Sequence, residues 1–240
     1  MAPIDRLHMH QWIKAAGCLM TTLVLAHPLP ASAEALGGSA CGELSNGTNG
    51  PFDYRNERGM LRVVEAFHFT AKVEALVGGE SEVRVGADLD YVLRAFPNHS
   101  RALVAAMRWG EKRKTLAPTD MPRSVECYFD RALRFRPDDN VVRMIYATFL
   151  SRNSRPEESI QQIDLVVTRA SDNAFTHYNA GLLYVELKQY EKALEQAHAA
   201  LALGFTRPEL REQLKAVGKW RDPVQAPDSA ASAASAAEHS

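Results

Sequence analysis

Residues 173–203 read NAFTHYNAGLLYVELKQYEKALEQAHAALAL, and this stretch decides the fold. Glycine inside a helix costs about 1 kcal/mol relative to alanine, so Gly181 indicates a point where another helix comes close. In both halves the apolar residues recur three or four positions apart, which places them on one helical face. The stretch therefore predicts two amphipathic helices joined by a tight turn. The apolar positions are Phe175, Tyr178, Leu182 and Val185, then Tyr190, Ala193, Leu194, Ala197 and Leu201.

This stretch resembles a tetratricopeptide repeat, a helix–turn–helix unit of about 34 residues. Gly181 and Tyr184 match the glycine and the aromatic residue of the first helix, and Tyr190, Ala193 and Ala200 match the second. The resemblance implies an all-α fold, a TPR-type α-solenoid in which antiparallel helix pairs stack into a right-handed superhelix. The stretch departs from the repeat pattern at His177 (usually tryptophan), Lys188 (usually the turn glycine) and Phe205 (usually proline).

The spacing of helix ends predicts three further repeats. Pro97 and Pro137 each follow a predicted helix and lie 40 residues apart, whereas the helix starts near Asn140 and Ala174 lie 34 apart. One repeat is therefore longer, and its insertion falls at 111–123, where two prolines and a run of charges forbid a continuous helix. The predicted helix pairs are 71–77 with 82–96, 100–110 with 124–136, and 140–152 with 156–167.

The ends of the chain are predicted to differ from the repeats. Residues 208–217 predict one closing helix, because the last repeat of a stack would otherwise expose an apolar face. Thr206 and Glu209 have capping-box spacing before that helix, and Thr70 is a predicted N-cap for the helix at 71–77. Residues 61–69 are predicted to be extended. The predicted organisation is an irregular N-terminal segment at 34–69, a repeat domain at 70–220 and a disordered Ala/Ser tail at 221–240.

Residues 1–33 have the features of a secretory signal peptide. Arg6 and Lys14 supply positive charge, an apolar run covers 15–26, and Ala31–Ala33 offers a small-residue cleavage site. The alternative is a membrane anchor, but a membrane span needs about 20 apolar residues and this run is shorter. We therefore expect cleavage after Ala33 and a periplasmic or secreted mature chain without a transmembrane segment.

The mature chain keeps two cysteines, Cys41 and Cys127. An even pair in an oxidising compartment predicts a disulfide that clamps the N-terminal segment onto the helices. The alternative is two separate thiols, with Cys127 buried inside a helix as many free cysteines are. Neither cysteine has a companion histidine at zinc-ligand spacing, so no metal site is predicted.

The sequence contains no recognisable catalytic pattern. Nucleophile elbows, phosphate-binding glycine loops and dinucleotide fingerprints are absent, and no histidine pair has the spacing of a helical metal site. His177 falls at a packing position, which favours a structural role over a ligand role. We predict no catalytic residues, no metal and no cofactor. The formal net charge of −1 does not favour nucleic acid, although the tract Lys112–Lys114 raises a nucleic-acid or anionic-lipid interpretation.

The family resemblance implies a ligand groove lined by the first helix of each repeat. The implied partner is a protein or peptide with an acidic part and an apolar anchor, since one end of the groove is basic and the other apolar. The alternative is an ordinary solvated face, in which each arginine pairs with a nearby acid for about 0–1 kcal/mol. The groove positions carried over are Arg101, Val104, Arg108, Glu111 and Lys112; Val141, Met144, Thr148, Ser151 and Arg152; and Phe175, Tyr178, Leu182, Val185 and Glu186.

The mature chain also resembles exported tetratricopeptide proteins of Gram-negative bacteria, and this likeness implies export and architecture rather than an activity. We expect a non-catalytic scaffold that binds a protein or peptide in the cell envelope, for example during assembly of a pilus, a secretion complex or an exported polymer. The alternative is a carbohydrate-contacting module of an exopolysaccharide system, with Tyr54, Phe175 and Tyr178 as candidate aromatics. The resembling segments are 50–55 (GPFDYR), 68–70, 88–91 and 93–99.

Overall fold

The structure, a computed structural model, describes residues 40–44, 50–80, 84–169 and 172–223. The predicted signal peptide at 1–33 and most of the predicted tail lie outside these residues. Within them the chain is all α-helical, without a strand. The ten helices are α1 (Gly59–His68), α2 (Ala71–Glu74), α3 (Val85–Ala95), α4 (Ser100–Arg113), α5 (Val125–Phe135), α6 (Asn140–Arg152), α7 (Pro156–Arg169), α8 (Ala174–Glu186), α9 (Tyr190–Ala202) and α10 (Glu209–Ala216).

Local sequence signals explain where most of these helices begin and end. The helices α3 and α5 stop one residue before Phe96–Pro97 and Arg136–Pro137, because a residue that precedes proline disfavours the helical conformation. Four helices start with a side chain that accepts a backbone N–H bond and so caps the first turn. These caps are His99 for α4 (3.1 Å), Ser124 for α5 (3.3 Å), Asp139 for α6 (3.1 Å) and Asn173 for α8 (2.9 Å).

Lys188, in the turn between α8 and α9, occupies the position at which the tetratricopeptide pattern usually has a glycine. Lys188 has φ 58, in the left-handed region that normally favours glycine. Ser154 takes the same conformation (φ 60) in the turn between α6 and α7. The chain therefore makes both turns with non-glycine residues, so the missing glycine does not prevent α8 and α9 from pairing.

Gly181 allows the last helix to pack closely against α8. A Cβ atom at this position would lie 2.4 Å from Leu210 Cδ2, closer than two carbon atoms can approach. Leu210 and Leu214 are buried, and α10 contacts both α8 and α9. The close approach predicted from Gly181 is confirmed.

The helices pack mainly on their neighbours in the sequence. The most extensive contacts join α6 to α7 and α8 to α9, while α3 packs on α4, α5 on α6 and α7 on α8. The helix α4 also contacts α6 directly. Two apolar clusters form the core and meet at α6, which gives Phe149 to the first cluster and Ala147 to the second.

The extended conformation predicted for 61–69 is wrong, because α1 occupies Gly59–His68. Leu61 and Val64 lie three positions apart and are both buried, and α1 packs on α3. The helical period was hard to recognise in the sequence, because Val63 and Phe67 are also apolar although they are exposed in the structure.

Neither predicted helix cap makes its side-chain hydrogen bond. Thr70 occupies the predicted N-cap position of α2, but its hydroxyl donates to Glu80 Oε1 (2.7 Å), and α2 ends after one turn. No side chain caps α10, and Glu209 instead accepts from the Tyr178 hydroxyl (2.9 Å).

The loop predicted at 111–123 starts later than predicted, because α4 continues to Arg113.

A disulfide joins Cys41 to Cys127, in agreement with the predicted pair. Three arginines reinforce this clamp by donating to backbone carbonyls of residues 41–44. Arg123 binds the carbonyl of Cys41, Arg134 binds that of Gly42, and the buried Arg131 binds that of Glu43. One disulfide therefore joins the N-terminal segment to α5, and arginine side chains bind the main chain of that segment.

We expect Cys41→Ser to lower the free energy of unfolding by about 2–4 kcal/mol, because the bridge closes a long loop and restricts the unfolded chain. The two cysteines are 86 residues apart in the sequence. Urea unfolding of the variant and of the oxidised wild type measures the difference. A reductant should destabilise the wild type but leave a Cys41→Ser/Cys127→Ser double variant unchanged. Equal stability of oxidised and reduced wild type would contradict the expectation.

Candidate functional site

A surface cleft of about 200 Å³ lies between α4 and α6. It brings together four of the groove positions implied by the family resemblance, namely Arg101, Val104, Arg108 and Val141. The remaining lining residues are Glu74, Ser100, Ala105 and Ile145.

Helical spacing puts these residues on facing surfaces. Arg101, Val104 and Arg108 lie three and four positions apart on α4, so they share one face. Val141 and Ile145 lie four apart on α6 and form the opposite wall. The spacing from Val141 could have identified Ile145 in the sequence, whereas Glu74 comes from α2 and no local signal pointed to it.

The side chain of Asn98 holds the starts of α4 and α6 together. Its amide nitrogen donates to Asp53 Oδ1 (2.8 Å) and to Asp139 Oδ2 (3.0 Å), and its oxygen accepts from the Tyr54 N–H (3.0 Å). Asp139 is the N-cap of α6, and His99, the N-cap of α4, follows Asn98 directly. The two walls of the cleft therefore share one buried anchor point.

Arg101 is paired with acids of the chain itself. Its Nε donates to Glu74 Oε1 (2.9 Å), and its Nη1 lies 3.3 Å from Glu65 Oε1. The hydrogen bond from Arg101 holds the pKa of Glu74 below its usual value, and the charge of Arg108 acts in the same direction. Arg101 therefore has the acidic partners expected if it belongs to an ordinary solvated face.

Arg108 differs from Arg101. It is exposed, and it makes no hydrogen bond or ion pair with any residue in the described part of the chain. Beside it the cleft presents Val141, which is 60% exposed, and the half-buried Ile145. The cleft thus combines a cation that forms no ion pair among the described residues, with Glu74 as the acid in its lining, and an apolar wall open to solvent.

The other basic groove positions lie elsewhere. Lys112 Nζ donates to the carbonyl of Leu76 (2.7 Å) and lines a different cleft. Arg152 Nη1 binds Glu111 Oε1 (3.0 Å), so two of the implied groove residues satisfy each other in an exposed pair. Such a pair contributes only about 0–1 kcal/mol.

The aromatic floor predicted around Tyr178 does not reach the α4–α6 cleft. Tyr178 is only 5% exposed, and its ring lies 4.8 Å from that of Phe205. Phe175 is exposed and lies edge-on to Phe205, while Leu182 is partly buried against the second apolar cluster. Glu186 is exposed at the end of α8. This end of the predicted groove is therefore occupied in large part by the chain's own packing.

Two further groove positions lie on α6. Met144 is partly buried against the second apolar cluster, and the Thr148 hydroxyl donates to the Met144 carbonyl (3.1 Å).

Tyr54, a candidate sugar-stacking aromatic, is stacked on His99 with ring centroids 4.0 Å apart. The carbohydrate interpretation stays a prediction, and two of its three candidate aromatics are engaged in packing.

The described residues contain no group of three potential metal ligands. His177 is buried and lies 2.6 Å from Gln196 Oε1, as expected for a structural histidine. The prediction that the chain has no enzymatic role stays a prediction. Among the described helices, none has the length and apolar character needed to span a membrane.

Comparison with known proteins finds no matching family model, no matching curated protein and no matching solved structure. The site must therefore be interpreted from its own geometry.

His99, the N-cap of α4, is a buried residue whose protonation affects stability. It is fully buried; its Nδ1 accepts from the Ala102 N–H, so its proton lies on Nε2, 3.1 Å from Glu65 Oε1. Protonation of Nδ1 would place a hydrogen against the N–H that it caps. Burial, together with the positive charge of Arg101, lowers the pKa of His99 to about 3 from 6.5. Between these two values the unfolded chain binds the extra proton, so stability falls as the pH drops below 6.5.

We expect His99→Asn to flatten the pH dependence of stability between about pH 7 and pH 5, since asparagine can cap a helix but does not titrate. In the wild type the loss attributable to His99 should approach about 1.4 kcal/mol per pH unit. Denaturant unfolding at several pH values measures the slope. Asn173→Ser, at the N-cap of α8, is the control and should keep the wild-type slope. An unchanged slope in His99→Asn would refute this assignment.

Proposed function

We propose that the chain is a tetratricopeptide-type helical repeat protein whose α4–α6 cleft binds an extended peptide carrying a carboxylate and an aliphatic side chain. The role is one of binding without catalysis. A single observation carries the proposal: Arg108 makes no hydrogen bond or ion pair within the described residues, and it lines the same cleft as the exposed Val141.

The chemistry of the cleft favours such a ligand. A guanidinium forms charge-assisted hydrogen bonds with a carboxylate, each contributing roughly 1.5–3 kcal/mol. Burial of an aliphatic side chain such as Val141 contributes about 1.5–3 kcal/mol. Neither interaction alone offsets the entropy lost on association, so the cleft favours a ligand that offers both groups.

The solenoid architecture is supported by the order of packing. Helices pack on their sequence neighbours, the helix starts at Asn140 and Ala174 keep the repeat spacing, and α10 covers the end of the α8–α9 pair. Contact between α4 and α6, the first helices of two successive pairs, agrees with stacked hairpins whose first helices line one face.

A location outside the cytoplasm is supported by the signal-peptide pattern at 1–33 and by the disulfide, which persists in oxidising compartments. The proposed setting is an envelope complex, such as a pilus, secretion or polymer-export assembly.

Peptides selected on the wild-type protein from a pool of short random sequences should contain an acidic and an aliphatic residue. We expect Arg108→Glu to weaken their binding about tenfold or more, because it replaces an attractive charge with a repulsive one. Val141→Ala should weaken it less, since it removes only a few apolar carbons at about 0.8 kcal/mol per CH₂. Titration calorimetry measures each affinity.

Arg62→Glu is the matched control, because Arg62 is an exposed arginine on α1 outside the cleft. It makes the same change in net charge and should leave the affinity at the wild-type value. If Arg108→Glu and Arg62→Glu weaken binding equally, general charge rather than the cleft holds the peptide.

A reporter that is active only after export, fused behind residues 1–33, should be active in a Gram-negative host, because the apolar run would engage the secretion machinery. Sequencing of its N-terminus should show that the mature fusion begins at the first residue after Ala33. Replacing two leucines of the run, Leu23 and Leu25, with arginine should abolish export. An inactive wild-type fusion would contradict the proposed location.

A further inference from the structure

A second cleft, of about 410 Å³, lies at the other end of α4. The end of α2, the start of α3, the last turn of α4 and the inserted loop meet there. Its lining residues are Leu76, Val77, Gly78, Arg84, Val85, Trp109, Lys112, Arg113, Thr119 and Asp120.

The charge of this cleft is predominantly positive. Arg84, Lys112 and Arg113 contribute three cations, and Asp120 is the one acid in the lining. Asp120 is already engaged, since its Oδ1 accepts from Trp109 Nε1 (3.0 Å). Its Oδ2 accepts from the Gly86 N–H (2.8 Å). Among the described residues no ion pair joins Asp120 to Lys112 or Arg113, so these cations keep donors for an external anion.

Lys112 and Arg113 have hydrogen-bonding capacity to spare. The Lys112 ammonium carries three N–H groups and gives one to the Leu76 carbonyl. Arg113 is exposed, and its guanidinium makes no hydrogen bond to another residue in the described part of the chain. Both cations lie beside the same indole, 5.7 Å and 5.6 Å from the Trp109 ring centroid.

The parts of this cleft are held in position before any ligand arrives. Leu76 has φ 60, a costly conformation for a bulky residue, and its carbonyl receives the Lys112 ammonium. Asp120 fixes the Trp109 ring and approaches Gly86 so closely that a Cβ there would lie 2.4 Å from its carboxyl carbon. Trp109 and Lys112 therefore lose little freedom when a ligand binds.

We propose that this cleft binds a phosphate group, with Lys112 and Arg113 as its ligands. A phosphate near neutral pH carries a charge between −1 and −2 and offers three or more acceptor oxygens, which suits a lysine ammonium and an arginine fork. The remaining volume, walled by Val77 and Trp109, accommodates the group that carries the phosphate. This site shares no lining residue with the α4–α6 cleft and does not depend on the proposed peptide binding.

The phosphate can belong to a small solute or to a lipid headgroup, and two measurements separate these sources. Inorganic phosphate and glycerol 3-phosphate are titrated into the full mature chain by calorimetry. Co-sedimentation is then measured with phosphatidylcholine vesicles that contain or lack phosphatidic acid. Saturable binding of the small phosphates supports a soluble ligand, and binding only to vesicles with phosphatidic acid supports a headgroup.

The neighbouring residue Lys114 provides the control, because it is exposed and does not line this cleft. Lys112→Gln and Arg113→Gln should each weaken phosphate binding about tenfold or more, as expected for the loss of a charge-assisted hydrogen bond. Lys114→Gln should change it less than twofold. Arg113→Gln keeps the Lys112–Leu76 contact, so it tests the site even if Lys112→Gln disturbs the turn.

Two results would overturn the proposal. One is the absence of saturable binding to the small phosphates and to the vesicles. The other is an equal loss of binding in Lys114→Gln and Arg113→Gln, since that would indicate diffuse attraction to the Lys112–Lys114 tract rather than a defined cleft.

Discussion

The placement of α4 against α6 depends on a buried amide, that of Asn98. Its three hydrogen bonds connect the N-terminal segment to the turn before α4 and to the N-cap of α6. Asp53, which receives one of them, also accepts from Arg55 and Arg136, and the bond from Arg55 holds the pKa of Asp53 well below its usual value. Because a buried polar network is favourable only when every member is satisfied, the relative position of α4 and α6 is tightly specified.

This anchor lies at one end of the cleft between the two helices. The amide connects their first turns, and Val104, Arg108 and Ile145, further along the helices, line the gap. His99 belongs to the same arrangement, since burial keeps it neutral and available as the cap of α4. The residues that position the cleft are therefore buried and polar, whereas those offered to a ligand are exposed.

The sequence predicted the parts of the structure in which local signals agree. For α6, α8 and α9 the apolar period and the turn spacing coincide, and α6 and α8 also have an N-cap, so their bounds were close to those found. The signals conflicted at α1, where the apolar period is only Leu61 and Val64, and at Thr70, whose hydroxyl has a distant partner in Glu80. Arg101, Val104 and Arg108, positions implied by the family resemblance, share one face of α4, and the contact of α4 with α6 brings Val141 to the same cleft. The burial of Tyr178 could not be foreseen, since it depends on how Phe205 and α10 fold back.

The loop after α4 forms the second cleft together with the last turns of that helix. The loop supplies Asp120, whose carboxylate accepts from Trp109 Nε1 and so orients the indole ring. Lys112 and Arg113, in the last turn of α4, are exposed beside this loop. One helix therefore lines two clefts, because Arg101, Val104 and Arg108 lie in the α4–α6 cleft and Trp109, Lys112 and Arg113 lie in the cleft beside the loop. The loop thus contributes Thr119 and Asp120 to the basic cleft, which shares no lining residue with the α4–α6 cleft.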